Sequence, residues 1–125
     1  MPLDENRIDW TRSPPLAPDP GPIDVAHLQR MTLGDVRLTR EVLGMFSLQS
    51  SRLLDALADL PSDAAALAHT LKGSARAIGA FAVAEAAADL EAGIKAGCDT
   101  AGALVKLDGA VTKACAAIEA LLRRD

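Results

Sequence analysis

Apolar side chains recur every three or four positions from about residue 23 onward, which is the spacing of one face of an α-helix. The pattern predicts a short helix from about Asp24 to Met31, with Asp24 as its N-terminal cap. A long second helix follows the turn Thr32–Asp35 and ends at Leu60–Pro61, because a proline disfavours helical conformation in the residue before it. Its recurring apolar residues, which we expect to face the core, are Leu38, Val42, Met45, Phe46, Leu53, Leu57 and Leu60.

The second half of the chain predicts three further helices, separated by capping residues and glycines. The third is capped by Ser62–Asp63 and meets Gly79, the fourth begins near Phe81 and closes near Gly97, and the fifth is capped by Asp99–Thr100. No alternation of β-branched residues indicates a strand. One short and four long helices with short connections predict an all-α fold, an antiparallel four-helix bundle with a short N-terminal cap helix.

The first 22 residues differ from the rest in composition. Six of the seven prolines lie there, among charged and small residues without apolar periodicity. Such a segment buries too little apolar surface to offset the entropy lost on ordering. We therefore expect a flexible Pro-rich tail over residues 1–22 and a helical bundle over residues 23–125.

Composition and charge exclude several classes of function. The 125 residues fit one domain, and the net charge of −4 gives no positive field to attract nucleic acid. No apolar run approaches the roughly 20 residues that span a bilayer, and the N-terminus lacks the pattern of a secretion signal. These features predict a cytoplasmic protein that binds neither membrane nor nucleic acid. Cys98 and Cys115 are too far apart for a CxxC motif and are expected to be reduced thiols.

The third helix carries the most informative stretch, around His69. With about 100° of rotation per residue, His69 points away from the expected core stripe and into solvent. Gly73 lies one turn later, at a helix-interior position where glycine costs roughly 1 kcal/mol relative to alanine. Its missing side chain would let another molecule approach the imidazole. The core stripe on this helix is expected to comprise Leu67, Leu71, Ser74 and Ile78.

Two cations and several small residues share the outward face with His69. Lys72 and Arg76 lie on the same side as the ring, where they could offset an anionic group. An exposed imidazole with clearance and cations suits phosphoryl acceptance, which depends on positioning and on screening of oxygen charge. Taken singly, the cations are more typical of a solvated surface than of a ligand site, and Gly73 fits helix packing and function equally well. Their coincidence on one face favours function. The candidate docking residues for a partner are Ser62, Ala65, Ala66 and Ala80, although alanine is also simply a strong helix former.

These residues resemble the signature of a known family. The string His69-Thr-Leu-Lys72-Gly73, followed by Ile78-Gly79, is similar to that of histidine-containing phosphotransfer (HPt) domains, in which a phosphorylatable histidine precedes x-Leu-Lys-Gly and, later, a hydrophobic residue and Gly. The passage from Met31 to Phe46 and the pair Leu90–Glu91 followed by Gly97 also look like the family. The resemblance covers about Ile23 to Leu122.

The resemblance implies a phosphotransfer protein of a multistep two-component phosphorelay. His69 would be the phosphoacceptor, through its ring nitrogen remote from Cβ, with Lys72 as charge partner and Gly73 as the clearance position; Arg76 is added from the helical wheel. The implied partners are receiver domains of response regulators and hybrid histidine kinases, bound transiently by a monomer. No cofactor of its own is implied, because Mg²⁺ belongs to the receiver.

Other functions are weighed against this one. The chain has no room for an ATP-binding domain, so we expect a phosphocarrier without kinase activity and not an enzyme. A hydrolytic histidine would be oriented by a carboxylate, and the positions one turn either side of His69, Ala65 and Gly73, supply none. His27 and His69 have no cluster of Cys or His around them, so no metal site is expected. The remaining alternative is a non-catalytic helical-bundle adaptor that binds receiver or other signalling domains.

Overall fold

The computed structural model describes residues 21–123 of the chain. This part forms five α-helices and contains no strand, which confirms the predicted all-α class. Residues 1–20, which hold most of the predicted tail, lie outside the described residues. The helices are α1 (Val25–Met31), α2 (Val36–Ala58), α3 (Ala64–Ile78), α4 (Phe81–Ala96) and α5 (Ala101–Arg123).

Capping residues place the helix ends close to the predicted positions. The Asp24 carboxylate accepts a hydrogen bond from the His27 amide at 3.1 Å, and Asp35 accepts one from Leu38 at 3.0 Å. Such bonds satisfy amides that have no partner within the first turn. At the other ends, Gly79 and Gly97 follow α3 and α4 with φ of 88° and 71°, a left-handed conformation that glycine adopts without a Cβ penalty.

The long helices contact one another in a closed cycle, α2 with α3, α3 with α4, α4 with α5 and α5 with α2, while α1 packs on α3. The α3–α4 pair has the most extensive contact. Alanines are fully or almost fully buried on both of these helices, including Ala68, Ala75 and Ala87. Small side chains let helix axes approach closely, so α3 and α4 form a tight pair. The antiparallel order of the helices stays a prediction.

The predicted core stripes are partly wrong. Leu38 and Met45 of α2 are exposed, as is Leu60, which lies beyond the end of this helix, whereas Leu43 is buried. On α3, Leu67 and Ser74 are only partly buried, and alanines occupy the centre of the interface. The prediction gave weight to large apolar residues, but burial follows the direction of the neighbouring helices. Within the described residues, no helix is long and apolar enough to cross a membrane.

Candidate functional site

His69 lies on α3 at the edge that faces α4. Its side chain is 66% exposed, yet its Nδ1 is 3.0 Å from Oε2 of Glu91, a residue of α4. The tight packing of α3 against α4 brings these two side chains together, although 22 residues separate them in the chain. The histidine is therefore open to solvent on one side and held from the other.

Glu91 is the centre of an ion cluster. Its side chain is only 8% exposed, and its Oε1 accepts a hydrogen bond from Lys72 Nζ at 2.8 Å. Lys95, one turn later on α4, places Nζ 3.1 Å from Oε2. The bond from Lys72, followed by that from Lys95 and supported by His69, lowers the pKa of Glu91 from 4.5 to about 2. Glu91 is thus a carboxylate at neutral pH.

The bond between His69 and Glu91 selects one tautomer of the imidazole. An ionised carboxylate can only accept hydrogen bonds, so Nδ1 of His69 must be the donor. In a neutral ring, the second nitrogen then carries the lone pair. The geometry therefore leaves Nε2 as the nucleophilic nitrogen. It is also the nitrogen remote from Cβ.

Gly73 is exposed, and a Cβ built there would meet no atom within 4 Å. No packing contact in the described chain requires a glycine at this position. Close helix packing therefore does not explain Gly73. The open space beside it lies on the exposed surface one turn beyond His69. This placement agrees with clearance for an approaching molecule.

The predicted cations have different positions. Lys72 was expected on the outward face, but its side chain is only 19% exposed and is bonded to Glu91. Arg76 is exposed and takes no part in the Glu91 cluster. Lys95 was not among the predicted site residues; it is 66% exposed and contacts the same carboxylate as His69.

Three of the four predicted docking residues reach the surface. Ser62 and Ala66 are exposed, and the partly buried Ala65 lines a shallow depression together with Ala66 and His69. Ala80 is completely buried, so its assignment to the docking surface is wrong. The helical wheel does not extend to Ala80 because α3 ends at Ile78 and the chain turns into α4.

A second surface feature lies between α2 and α3, on the other side of α3 from α4. This α2–α3 groove is almost entirely apolar, and Met45 at its edge is 69% exposed. Ala77, one turn beyond Gly73, belongs to its wall. The groove is lined by Val42, Met45, Phe46, Gln49, Ser74, Ala77 and Ile78.

No orienting carboxylate was predicted, because the helix that carries His69 has none one turn before or after it. The carboxylate comes from α4, so a missing carboxylate no longer argues against hydrolysis. A signal was present: Glu91 follows Leu90 on the buried side of an otherwise alanine-rich helix. A buried acidic residue is almost always paired, so the position of Glu91 predicts cationic partners on a neighbouring helix.

The other polar candidates lie apart from this cluster. His27 packs edge-on against Phe81, with ring centroids 5.1 Å apart. Cys98 and Cys115 are both free thiols. Among the described residues, no group of three or more His, Cys, Asp or Glu side chains is arranged to hold a metal ion.

Comparison with known proteins gives one match. A model of the Hpt domain family matches residues 41–121, which is more than half of the chain and includes His69, Glu91 and Lys95. No curated protein and no solved structure matches the chain significantly.

Proposed function

The chain belongs to the Hpt domain family, and from that premise we propose that His69 carries phosphoryl groups between receiver domains of a multistep phosphorelay. Family membership gives the chain a phosphotransfer role in two-component signalling and receiver domains as its class of partner. The observation that carries the finer proposal is the bond between Nδ1 of His69 and the Glu91 carboxylate. It prepares one nitrogen of an exposed imidazole for attack.

The proposed step transfers one phosphoryl group without any other reactant. The Nε2 lone pair of His69 attacks the phosphorus of an aspartyl phosphate on the donor receiver. The bond from phosphorus to the aspartate oxygen breaks, and the aspartate leaves as a carboxylate. The Nδ1 proton stays on the ring, which becomes positively charged as the N–P bond forms. Glu91, 3.0 Å from Nδ1, stabilises that charge. Attack by the aspartate of a second receiver reverses the step.

The charges around His69 favour an incoming phosphoryl group. Glu91 contributes one negative charge, while Lys72 and Lys95 contribute two positive charges, so the cluster is positive overall when the ring is neutral. Lys95 is the more exposed of the two lysines and the one more accessible to phosphoryl oxygens. Lys72 is largely buried and serves chiefly to hold the carboxylate. Phosphoryl transfer depends mainly on such positioning and charge compensation.

We assign the receiver-docking surface to the exposed side of α3 and to the α2–α3 groove. Ala66 and Gly73 leave the approach to the imidazole open, and Ala77 continues this low surface into the groove. Met45 offers a flexible apolar side chain at the rim, of the kind that adapts to more than one partner. A carrier must bind donor and acceptor in turn, so we expect weak, short-lived complexes of a monomer.

The proposal includes neither kinase nor hydrolase activity and no cofactor of the chain itself. We expect Mg²⁺ to act in the receiver, beside the aspartate that gives or takes the phosphoryl group. The nearest hydroxyl along α3, that of Thr70, donates to the Ala66 carbonyl at 3.1 Å, so it is already engaged within its own helix. The adaptor alternative predicts receiver binding that does not depend on the imidazole.

Phosphoryl uptake by the purified protein tests the proposal. Receiver domains carrying labelled aspartyl phosphate would be mixed with the native chain, with His69→Gln and with the control His27→Gln. We expect acid-labile, base-stable label on the native chain and on the His27 variant, and none on the His69 variant. Label on the His69 variant would contradict the site. Receiver binding without uptake by the native chain would favour the adaptor.

A further inference from the structure

A further groove lies between α2 and α5, and none of its residues belongs to the Glu91 cluster or to the α2–α3 groove. We call it the α2–α5 groove. Its volume of about 320 Å³ exceeds the roughly 150 Å³ of an apolar cavity that holds a benzene ring, so it has room for more than one apolar side chain. The groove is lined by Leu54, Asp55, Ala58, Leu104, Val105 and Asp108.

The apolar part of the groove comes from both helices. Leu54 and Leu104 are half-buried against the core, and Val105 beside them is 73% exposed. Valine is a poorer helix former than alanine because its branched side chain loses rotamer freedom in a helix. The core gains little from so exposed a side chain, whereas an apolar side chain of another molecule would find a continuous surface on these three residues.

The charge of the groove selects the kind of occupant. Asp55 of α2 and Asp108 of α5 are exposed on its opposite walls, and in the described part of the chain neither forms an ion pair or a side-chain hydrogen bond. The described lining includes no cation, and Lys106, the nearest one along α5, pairs with Asp89 of α4 at 3.2 Å. Two uncompensated negative charges disfavour an anionic membrane, a nucleic acid or a second copy of this chain, whose net charge is −4, and favour a cationic partner.

The walls of the groove select the shape of that partner. Both walls are α-helices, whose backbone groups are bonded within the helix, so an extended segment would find no strand edge to pair with. A helix satisfies its own backbone and needs only side-chain contacts. We propose that a basic amphipathic helix of a partner protein docks in the α2–α5 groove. Its apolar stripe packs on Leu54, Leu104 and Val105. Cations on the two borders of that stripe face Asp55 on one wall and Asp108 on the other.

The position of the groove leaves the phosphotransfer site open. The α2–α5 pair shares no helix with the α3–α4 pair that holds His69 and Glu91. At about 100° per residue, the α2 residues that line the two grooves lie about 180° apart around the helix. A partner helix in the α2–α5 groove therefore does not cover the receiver-docking surface. Such an anchor would hold the carrier near its receivers and raise their effective concentration.

Binding of a designed peptide to the full chain tests the inference. The probe is a fluorescently labelled helix of about 18 residues, long enough to form in water, with a leucine stripe bordered by lysines on both sides. We expect saturable binding by fluorescence anisotropy. Asp55→Asn combined with Asp108→Asn should weaken it roughly 5- to 30-fold, because an exposed ion pair contributes up to about fivefold and two are lost. The matched control, Glu41→Gln combined with Glu85→Gln, removes two exposed carboxylates outside the groove and should bind like the native chain.

Further measurements separate the groove from general attraction of opposite charges. Val105→Ser should also weaken binding, and amide NMR shifts caused by the peptide should cluster on α2 and α5 around the groove. A peptide with serines in place of the leucine stripe, or with glutamates in place of the lysines, should not bind. Circular dichroism first shows that the variants keep the native helix content.

Each contrary result overturns the inference. Absence of saturable binding does so, as does an equal loss in the two double variants, which would indicate diffuse attraction to an acidic protein. Shifts confined to α3 and α4 would place the peptide at the phosphotransfer site instead. A dimer of the native chain that Val105→Ser dissociates would show that a second copy fills the groove. The test measures peptide binding and not phosphoryl uptake, so its failure and a failure of the proposed carrier function are distinguishable.

Discussion

Replacing Glu91 by glutamine tests how the site prepares its nucleophile. The substitution keeps the size and shape of the side chain but removes the negative charge that pairs with His69, Lys72 and Lys95. The amide group can accept the Nδ1 proton through its oxygen, or donate to Nδ1 through its nitrogen. The second arrangement forces the proton onto Nε2 and removes the reactive lone pair.

Two losses set the expected magnitude. The reactive tautomer of His69 is no longer enforced, and a neutral hydrogen bond is about half as strong as a charge-assisted one. The positive charge that develops on the ring during transfer also loses its counter-charge at 3.0 Å. Removing the partner that orients a functional histidine costs about 10- to 100-fold in metal sites. We expect a decrease in the transfer rate of at least that size.

The assay measures transfer from a phosphorylated receiver by rapid quench and reads the tautomer by ¹⁵N NMR of the imidazole. The matched control is Asp89→Asn on the same helix, because Asp89 forms an exposed ion pair with Lys106 at 3.2 Å and does not contact His69. We expect the control to transfer at the native rate. Native ¹⁵N shifts should report a proton on Nδ1, and Glu91→Gln should show a mixture.

The interpretation of Glu91 would be refuted by a folded Glu91→Gln variant that transfers at the native rate with an unchanged tautomer. A slow variant that retains the native tautomer would show that Glu91 acts on the charge of the ring and not on its proton. A Glu91→Gln variant that loses helix content would instead reveal a mainly structural role for Glu91. If Asp89→Asn keeps the circular dichroism spectrum of the native chain, that role belongs to the buried carboxylate and not to any acidic residue of α4.

Three further predictions concern clearance, docking and acid stability. Gly73→Leu should retain the fold and slow phosphoryl transfer by obstructing the imidazole. Gly109→Leu, also at an open helical position, should transfer at the native rate. Equal transfer rates for the two variants would contradict the clearance role of Gly73. Met45→Asp should weaken receiver binding measured by calorimetry, with Val105→Asp as an exposed control, and equal affinities would exclude the α2–α3 groove. The pKa of Glu91 is lowered from 4.5 to about 2, so its stabilising contribution is complete above about pH 4.5 and is lost as the pH falls towards 2. The free energy of unfolding, measured in urea at several pH values, should show this loss in the native chain but not in Glu91→Gln. The same pH dependence in both proteins would contradict the stabilising role of Glu91.

The helices could be predicted from the sequence because their ends are marked by local chemistry. Asp24 and Asp35 cap helices through bonds to amides three residues later, and Gly79 adopts the φ of 88° that ends α3. These interactions join residues that are close in the sequence, so the local sequence pattern predicts them. Burial of individual positions was predicted less well. Met45 is exposed and Ala75 is buried because neighbouring helices, not side-chain size, decide which face is covered.

The same distinction explains which parts of the site the sequence revealed. His69 and Gly73 share one helix, so a helical wheel places them correctly on the exposed side. Glu91 and Lys95 come from α4, and their approach to His69 depends on how closely two helices pack. No periodicity within α3 contains that information. Ala80 was misplaced for a related reason, since the wheel was continued past the glycine that ends the helix.

The division of the site between two helices has a functional consequence. A carboxylate one turn from His69 on α3 would lie on the outward face, where it would repel the phosphoryl group and occupy the docking surface. Placed on α4 and 8% exposed, Glu91 reaches Nδ1 from the protein side and is neutralised by Lys72 and Lys95. The negative charge that controls the imidazole proton is thus kept away from the solvent side of the ring. Ala66 and Gly73 present small side chains on the exposed surface within one turn of the ring, so control of the proton and access to the nucleophile do not compete.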